Sequence, residues 1–113
     1  MTRAALLPIA LGLMLLAARM VSGQEFPNKP IRIIVGGAGS SADIAARLIA
    51  QGLGGSMGQP AFVDNRPSGI IPGETVAKAP PDGYTLLFIG NNLWLGPLLQ
   101  KTPYDPAKDF IPI

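Results

Sequence analysis

The residues best suited to chemistry in this chain are small and uncharged. Gly36-Gly37-Ala38-Gly39-Ser40-Ser41-Ala42-Asp43 gathers glycines, two hydroxyls and one carboxylate directly after an apolar run. Glycines there let the backbone approach a bound group, and hydroxyls with free N–H groups can hold an anion where a helix starts. Asn65-Arg66 and Gly90-Asn91-Asn92 follow two further apolar runs in the same way. Arg66 is suited to bidentate pairing with an acid, although an ion pair with Asp64 or Asp82 occupies it equally well. Asn91 and Asn92 are uncharged donors directly beyond a buried strand. The candidate ligand contacts are therefore Gly37, Ala38, Gly39, Ser40, Ser41, Asn91 and Asn92. Asp43 is expected to cap the helix or brace the loop, since a carboxylate repels an anionic ligand.

The missing residue types narrow the chemistry further. With no histidine and no cysteine, a Ser–His triad, a Cys nucleophile, a thiolate zinc site and a disulfide scaffold are all excluded. No catalytic residue, metal or cofactor is expected. Gly37-Ala38-Gly39-Ser40-Ser41-Ala42 also fits a GxGxxA dinucleotide fingerprint, with Asp64 as the acid for the ribose. A Rossmann-type nucleotide-binding module using Gly37, Gly39 and Asp64 is thus the competing reading. An export signal and the absence of a histidine to partner hydride transfer weigh against it.

That signal occupies residues 1–23. Arg3 precedes an apolar stretch from Ala4 to Ala18, and Ser22 and Gly23 are small. This is the three-part layout of a cleavable secretory signal, with cleavage expected between Gly23 and Gln24. The apolar stretch is shorter than the roughly 18–20 residues of a bilayer span, and Pro8 interrupts it. Cleavage removes Arg3 and Arg19, leaving seven basic residues against seven acidic ones. The mature chain then lacks the basic footprint of a nucleic-acid binder.

These candidate residues need elements to position them. Ile31 to Val35 reads as a buried strand between Pro30 and Gly36-Gly37. Ile44, Leu48, Ile49 and Leu53 recur at helical spacing, with Ser41 or Asp43 as cap and Gly54, Gly55 and Gly58 as the stop. Residues 60–64 read as a second strand, 73–79 as a brief helix ended by Pro80-Pro81, and 84–89 as the third strand after a rigid turn at Asp82-Gly83. A short helix is expected over Leu93 to Leu99 and a further strand over Phe110 to Ile113. Trp94 is expected in the core, and Tyr104 is a candidate pocket wall. Alternating strands and helices predict parallel βαβ units. All three strand-to-helix turns then lie at the carboxyl edge of one sheet, where open α/β sheets bind ligands. A small anionic ligand is expected there.

From Pro27 to Ile113 the chain resembles the start of the tripartite tricarboxylate transporter substrate-binding proteins, the Bug receptor family. The segments that carry the resemblance are PNKPIRIIV, ADIAARLIAQGL, MGQPAFVDNRP, ETVAKAPPDGYTLLF and PYDPAKDFIPI, in the family's order and spacing. The resemblance implies a periplasmic-binding-protein type II-like lobe with a mostly parallel sheet, incomplete here, so that residues 24–113 form part of a first lobe. It implies a receptor for small carboxylates that delivers them to a membrane permease. It also places Gly36 to Ala42, Ser68 to Gly73 and Gly90 to Asn92 at the ligand, with Ile70 and Ile71 narrowing one side. The chain is expected to be an amino-terminal fragment, a truncated gene remnant being the bland alternative. With the opposing lobe absent, residues 24–113 are expected to bind weakly and fold marginally.

Overall fold

Three apolar runs, each closed by small or polar residues, form three parallel strands. The computed structural model describes residues 23, 25–67 and 69–113. The expected export signal therefore lies almost wholly outside the described residues. Strand β1 (Ile31–Val35) follows Pro30, β2 (Ala61–Asn65) follows Pro60, and β3 (Thr85–Phe88) follows the turn at Asp82-Gly83. β1 pairs in parallel with both others, Ile33 standing opposite Val63 and Leu86, which gives the order β2-β1-β3. Its central place explains its composition. Ile31, Ile33, Ile34 and Val35 are all buried, because a parallel strand covered on both faces has no polar side.

The strand order separates the two α/β readings. In a Rossmann half the third strand lies beyond the second, in the order 3-2-1, whereas here it crosses to the far side of β1, in the order 2-1-3. Asp64, the proposed ribose acid, is engaged by Arg66 at 2.8 Å and Arg32 at 3.5 Å. The dinucleotide reading thus loses its topology and finds its acid already paired.

Helix α1 (Ser41–Met57) runs through the first two of the expected stop glycines and ends at the third. Gly54 and Gly55 lie within it, and Gly58, at φ 70°, ends it in the left-handed conformation that favours glycine. Gly54 faces the segment that leads into β2, with room for a Cβ at ordinary contact distance, 3.7 Å from Gln59 O and Ala61 N. Of the apolar series that announced α1, Leu53 alone packs against the core cluster. Ala46 and Ala50 pack with Ile33 and Val35, flanked by Ala42 and Leu53. Ile44 and Leu48 are 59% and 65% exposed. Small side chains let the helix axis approach the sheet closely, and the alanine stripe faces inward as a result.

Helix α2 (Ile71–Ala77) begins two residues before the expected Gly73, with Pro72 in its first turn, where a missing N–H costs nothing. It packs on β3 and β1, and right-handed crossovers put it on the opposite face from α1. Helix α3 (Asn92–Leu99) carries Pro97 inside it and buries Leu93. Trp94, expected in the core, is 59% exposed. Adjacent helical residues differ by about 100° around the axis, so an eight-residue helix that turns Leu93 inward turns Trp94 away.

The expected strand over Phe110 to Ile113 does not form. Pro112 lacks the N–H a ladder needs, and Phe110 instead packs edge-on against Tyr104 at 5.7 Å. Tyr104 is buried between two glycines. A Cβ on Gly73 would lie 2.9 Å from its Cε1, and a Cβ on Gly96 would lie 3.2 Å from its hydroxyl. The ring thus joins α2 to α3. At the other end of the sheet, Tyr84 exchanges hydrogen bonds with Asn28 at 2.9 Å and its ring packs at a tilt against Phe26, 5.0 Å between centroids, which fastens the segment before β1.

Candidate functional site at the carboxyl edge of the sheet

Parallel pairing sends every strand out of the sheet at the same edge. Successive crossovers to opposite faces open a crevice beside β1, at the topological switch point where ligands of open α/β sheets bind. A cavity of about 260 Å³ lies there. The loop after β1 supplies Gly36, Gly37 and Ser40 to its lining, with Ala42 from α1. The loop after β2 supplies Gly69, and α2 supplies Pro72. The end of β3 and the loop beyond it supply Phe88, Ile89 and Gly90, with Asn92 from α3.

Of the seven candidate ligand contacts, Gly37, Ser40 and Asn92 come together around one space, and the same three loop regions also bring Gly36, Ala42, Gly69, Pro72 and Gly90 to it. Ala38, Gly39, Ser41 and Asn91 stand on the same loops but outside the lining. Gly39 shapes the turn at φ 81°, Ser41 opens α1, and the Asn91 carbonyl accepts from the N–H groups of Trp94 and Leu95 at 3.0 Å each. Ile70 and Ile71 do not narrow the cavity. Ile70 points toward Gly96, whose added Cβ would meet its Cγ2 at 4.0 Å, and Ile71 is 41% exposed. Their places in the lining are taken by Gly69 and Pro72. Phe88 and Ile89 were missed from sequence as site residues, because apolar residues at the end of a strand read as core.

The cap of α1 is Ser40, one residue before Ser41. Its Oγ accepts from the Asp43 N–H at 3.2 Å, and Asp43 Oδ2 accepts from the Gly39 N–H at 2.9 Å, in the manner of a capping box. The Ser40 hydroxyl keeps its own hydrogen for another acceptor. Asp43 is buried, with 4% exposure. Asn65 Nδ2 donates to Asp43 Oδ1 at 2.8 Å and to the Gly36 carbonyl at 3.0 Å. Arg47 Nη2 donates to Asn65 Oδ1 at 3.0 Å, and Arg47 Nε donates to Asp43 Oδ2 at 3.3 Å. The expected role of Asp43 as cap or brace holds, and of the alternatives open to Arg66 the structure shows the ion pair with Asp64.

The Asn65 amide, and then the Gly39 N–H and Arg47, hold the Asp43 carboxyl below its ordinary range, against the opposing effect of its burial. A carboxyl whose folded pKa is depressed adds stability above its unfolded value of about 3.9, and this contribution disappears as pH falls from there toward the lower folded value. Urea midpoints measured from pH 6 down to pH 2 should therefore fall more steeply below about pH 4 for the natural chain than for Asp43→Asn. Parallel acid limbs would remove Asp43 from the acid response.

Among the described residues that line the cavity, none carries a charged side chain. What it offers is peptide N–H groups, the Ser40 hydroxyl and the Asn92 amide, facing an apolar wall of Phe88, Ile89 and Pro72. Such donors suit an anion whose charge is met by hydrogen bonds and by the amino ends of α1 and α3. Among the described residues, no group of acidic side chains could hold a metal ion, and no helix is long and apolar enough to cross a membrane.

Comparison with known proteins agrees with this geometry. Residues 45–113, more than half the chain, match the model of the tripartite tricarboxylate transporter family receptor. The chain belongs to that family. A UPF0065 protein of Bordetella bronchiseptica is 46% identical over 113 residues, covering 96% of this chain and 33% of the relative. A solved periplasmic binding protein, BugD, superposes with a TM-score of 0.72 at 31% identity over 78% of this chain and 31% of its own. The R. palustris protein Rpa4515, solved with adipate, superposes with a TM-score of 0.67 at 36% identity over 74% of this chain and 29% of its own. The chain thus spans about a third of the length of the relatives it matches. Its incomplete α/β lobe is that of the periplasmic binding proteins.

Proposed function

We propose that this chain forms part of a periplasmic receptor that captures small carboxylates for a tripartite tricarboxylate-type transporter. Residues 1–23 serve as its export signal, and residues 24–113 as part of its first lobe. The observation that carries the reading is the cavity at the carboxyl edge, ringed by Gly37, Ser40 and Asn92 and free of charged side chains among its described lining. Ala38, Gly39, Ser41 and Asn91 complete the proposed contact set by fixing the loops or reaching the ligand at its rim. Binding and release is the whole task, with no bond made or broken. The carboxylate lies on the N–H groups and the two polar side chains, and its carbon chain lies on Phe88, Ile89 and Pro72. Membership of the receptor family supports this reading, as does the adipate held by a relative of the same fold. Delivery to a membrane permease follows from the family alone.

Melting curves of the chain in the presence of succinate, adipate and NAD test the proposal. A ligand at about ten times its dissociation constant stabilises the folded state by about 1.4 kcal/mol, a shift of several degrees for a domain of this size. The dicarboxylates should raise the melting temperature and NAD should leave it unchanged. A response to NAD alone would replace the receptor reading with the nucleotide one.

A further inference from the structure

The loop that lines the cavity is held at both ends by side chains that do not line it. Asn65 Nδ2 fastens the Gly36 carbonyl at 3.0 Å, where the loop leaves β1, and Asp43 Oδ2 fastens the Gly39 N–H at 2.9 Å, where it reaches α1. The same Asn65 amide joins Asp43 Oδ1 at 2.8 Å, which closes a circuit from β1 through β2 to α1. Arg47 completes it. Its guanidinium donates to Asn65 Oδ1 and Asp43 Oδ2, which orients the Asn65 amide with its NH2 toward Asp43 and Gly36. The arrangement uses every polar atom of the Asn65 side chain and both carboxylate oxygens of Asp43. Gly39, whose N–H is one of these anchors, turns the loop at φ 81°, a conformation that glycine adopts freely, so the contacts and not Gly39 itself fix the loop's shape.

We propose that Asp43, Asn65 and Arg47 are positioning residues, a clamp that sets the Gly36–Ser40 loop in its ligand-accepting shape before any ligand arrives, without themselves touching the ligand. The inference rests on the carboxylate reading of the cavity. Its consequence is that affinity depends on a residue at the end of β2, outside the cavity lining, through loop order. A pre-set loop lowers the ordering cost of binding, so loosening it weakens affinity while leaving the contact groups in place.

The test compares the natural chain with Asn65→Ala and Asp43→Asn. In Asp43→Asn the new NH2 must face either the Gly39 N–H or the Asn65 NH2, donor against donor. Amide hydrogen exchange is followed at Gly39 and at Ile34, whose amide reports the central strand, and adipate is titrated by amide chemical shifts. Both variants should exchange at least about tenfold faster at Gly39, the loss of about one net hydrogen bond, with Ile34 little changed. Both should also bind adipate about tenfold more weakly. Unchanged exchange at Gly39 overturns the clamp whether or not adipate binds. Equal acceleration at Gly39 and Ile34 overturns it too, since the residues would then serve global stability only. Absence of adipate binding by the natural chain contradicts the proposed function, and the exchange at Gly39 still decides the clamp.

Discussion

Ile34→Ala is expected to lower stability by about 2–5 kcal/mol. Ile34 has no exposed surface and stands at the centre of the sheet, opposite Asp64 on one side and Leu87 on the other. It lies outside the cluster that Ile33 and Val35 form with α1, and strand alternation turns it to the other face. The substitution therefore opens a cavity on the α2 side that no neighbouring residue of β1 can fill. Domains of this size hold only about 0.05–0.15 kcal/mol per residue in reserve, so a loss at the upper end consumes most of it. Phe62→Ala is the matching control, because Phe62 on β2 is 47% exposed. Its effect should be under about half that of Ile34→Ala, since the removed ring is half in water already. Urea denaturation followed by circular dichroism measures both. Equal losses would mean that the core is not where the burial of β1 puts it.

Gly73→Ala is expected to destabilise by about 1–3 kcal/mol although it adds a single methyl group to a helix. Alanine is the better helix former by about 1 kcal/mol, so propensity alone predicts the opposite sign. Packing decides the contest. The new Cβ would stand 2.9 Å from Tyr104 Cε1 and 3.0 Å from its Cζ, and neither group can retreat. Gly73 is buried, Tyr104 is 6% exposed, and Gly96 closes the slot on the far side of the hydroxyl. Tyr104→Leu should relieve the clash, so the double variant should lose less than the sum of the two single losses. Thermal melts of the four chains give the coupling directly. A gain in stability from Gly73→Ala alone, or strict additivity, would show that the ring does not occupy the slot.

The sequence revealed the order of elements because each strand is an apolar run closed by proline, glycine or asparagine, and such punctuation is local. It also placed the carboxyl-edge loops, since parallel strands joined by helices leave no other arrangement. Sidedness was less legible. The Ile44–Leu48 spacing identified a helix but not its buried face, because alanine reads as neutral in a hydrophobic pattern and yet is what close helix-to-sheet packing selects. Trp94 misled for a related reason: its size suggests burial, but its direction follows from which neighbour on α3 meets the sheet. At the cavity, Gly37, Ser40 and Asn92 were legible from residue type after a strand. Phe88 and Ile89 were not, because the apolar end of a strand reads as core until the neighbouring loops are seen to converge on it. The circuit linking Asp43 to Asn65 joins residues 22 positions apart, and no sequence spacing announces it.

The most direct trial of the proposed carboxylate half-site is a titration of the chain with adipate, followed residue by residue in backbone amide chemical shifts. Weak, saturable binding is expected, with a dissociation constant near or above about 1 mM, since one lobe alone leaves the ligand half in water. The shifts should concentrate at Gly37, Ser40, Gly90 and Asn92, which line the cavity from the chain after β1 and after β3. Micromolar affinity would contradict the half-site. So would saturable shifts that gather on the outer face of α1 or at the amino edge of the sheet while those four amides stay still.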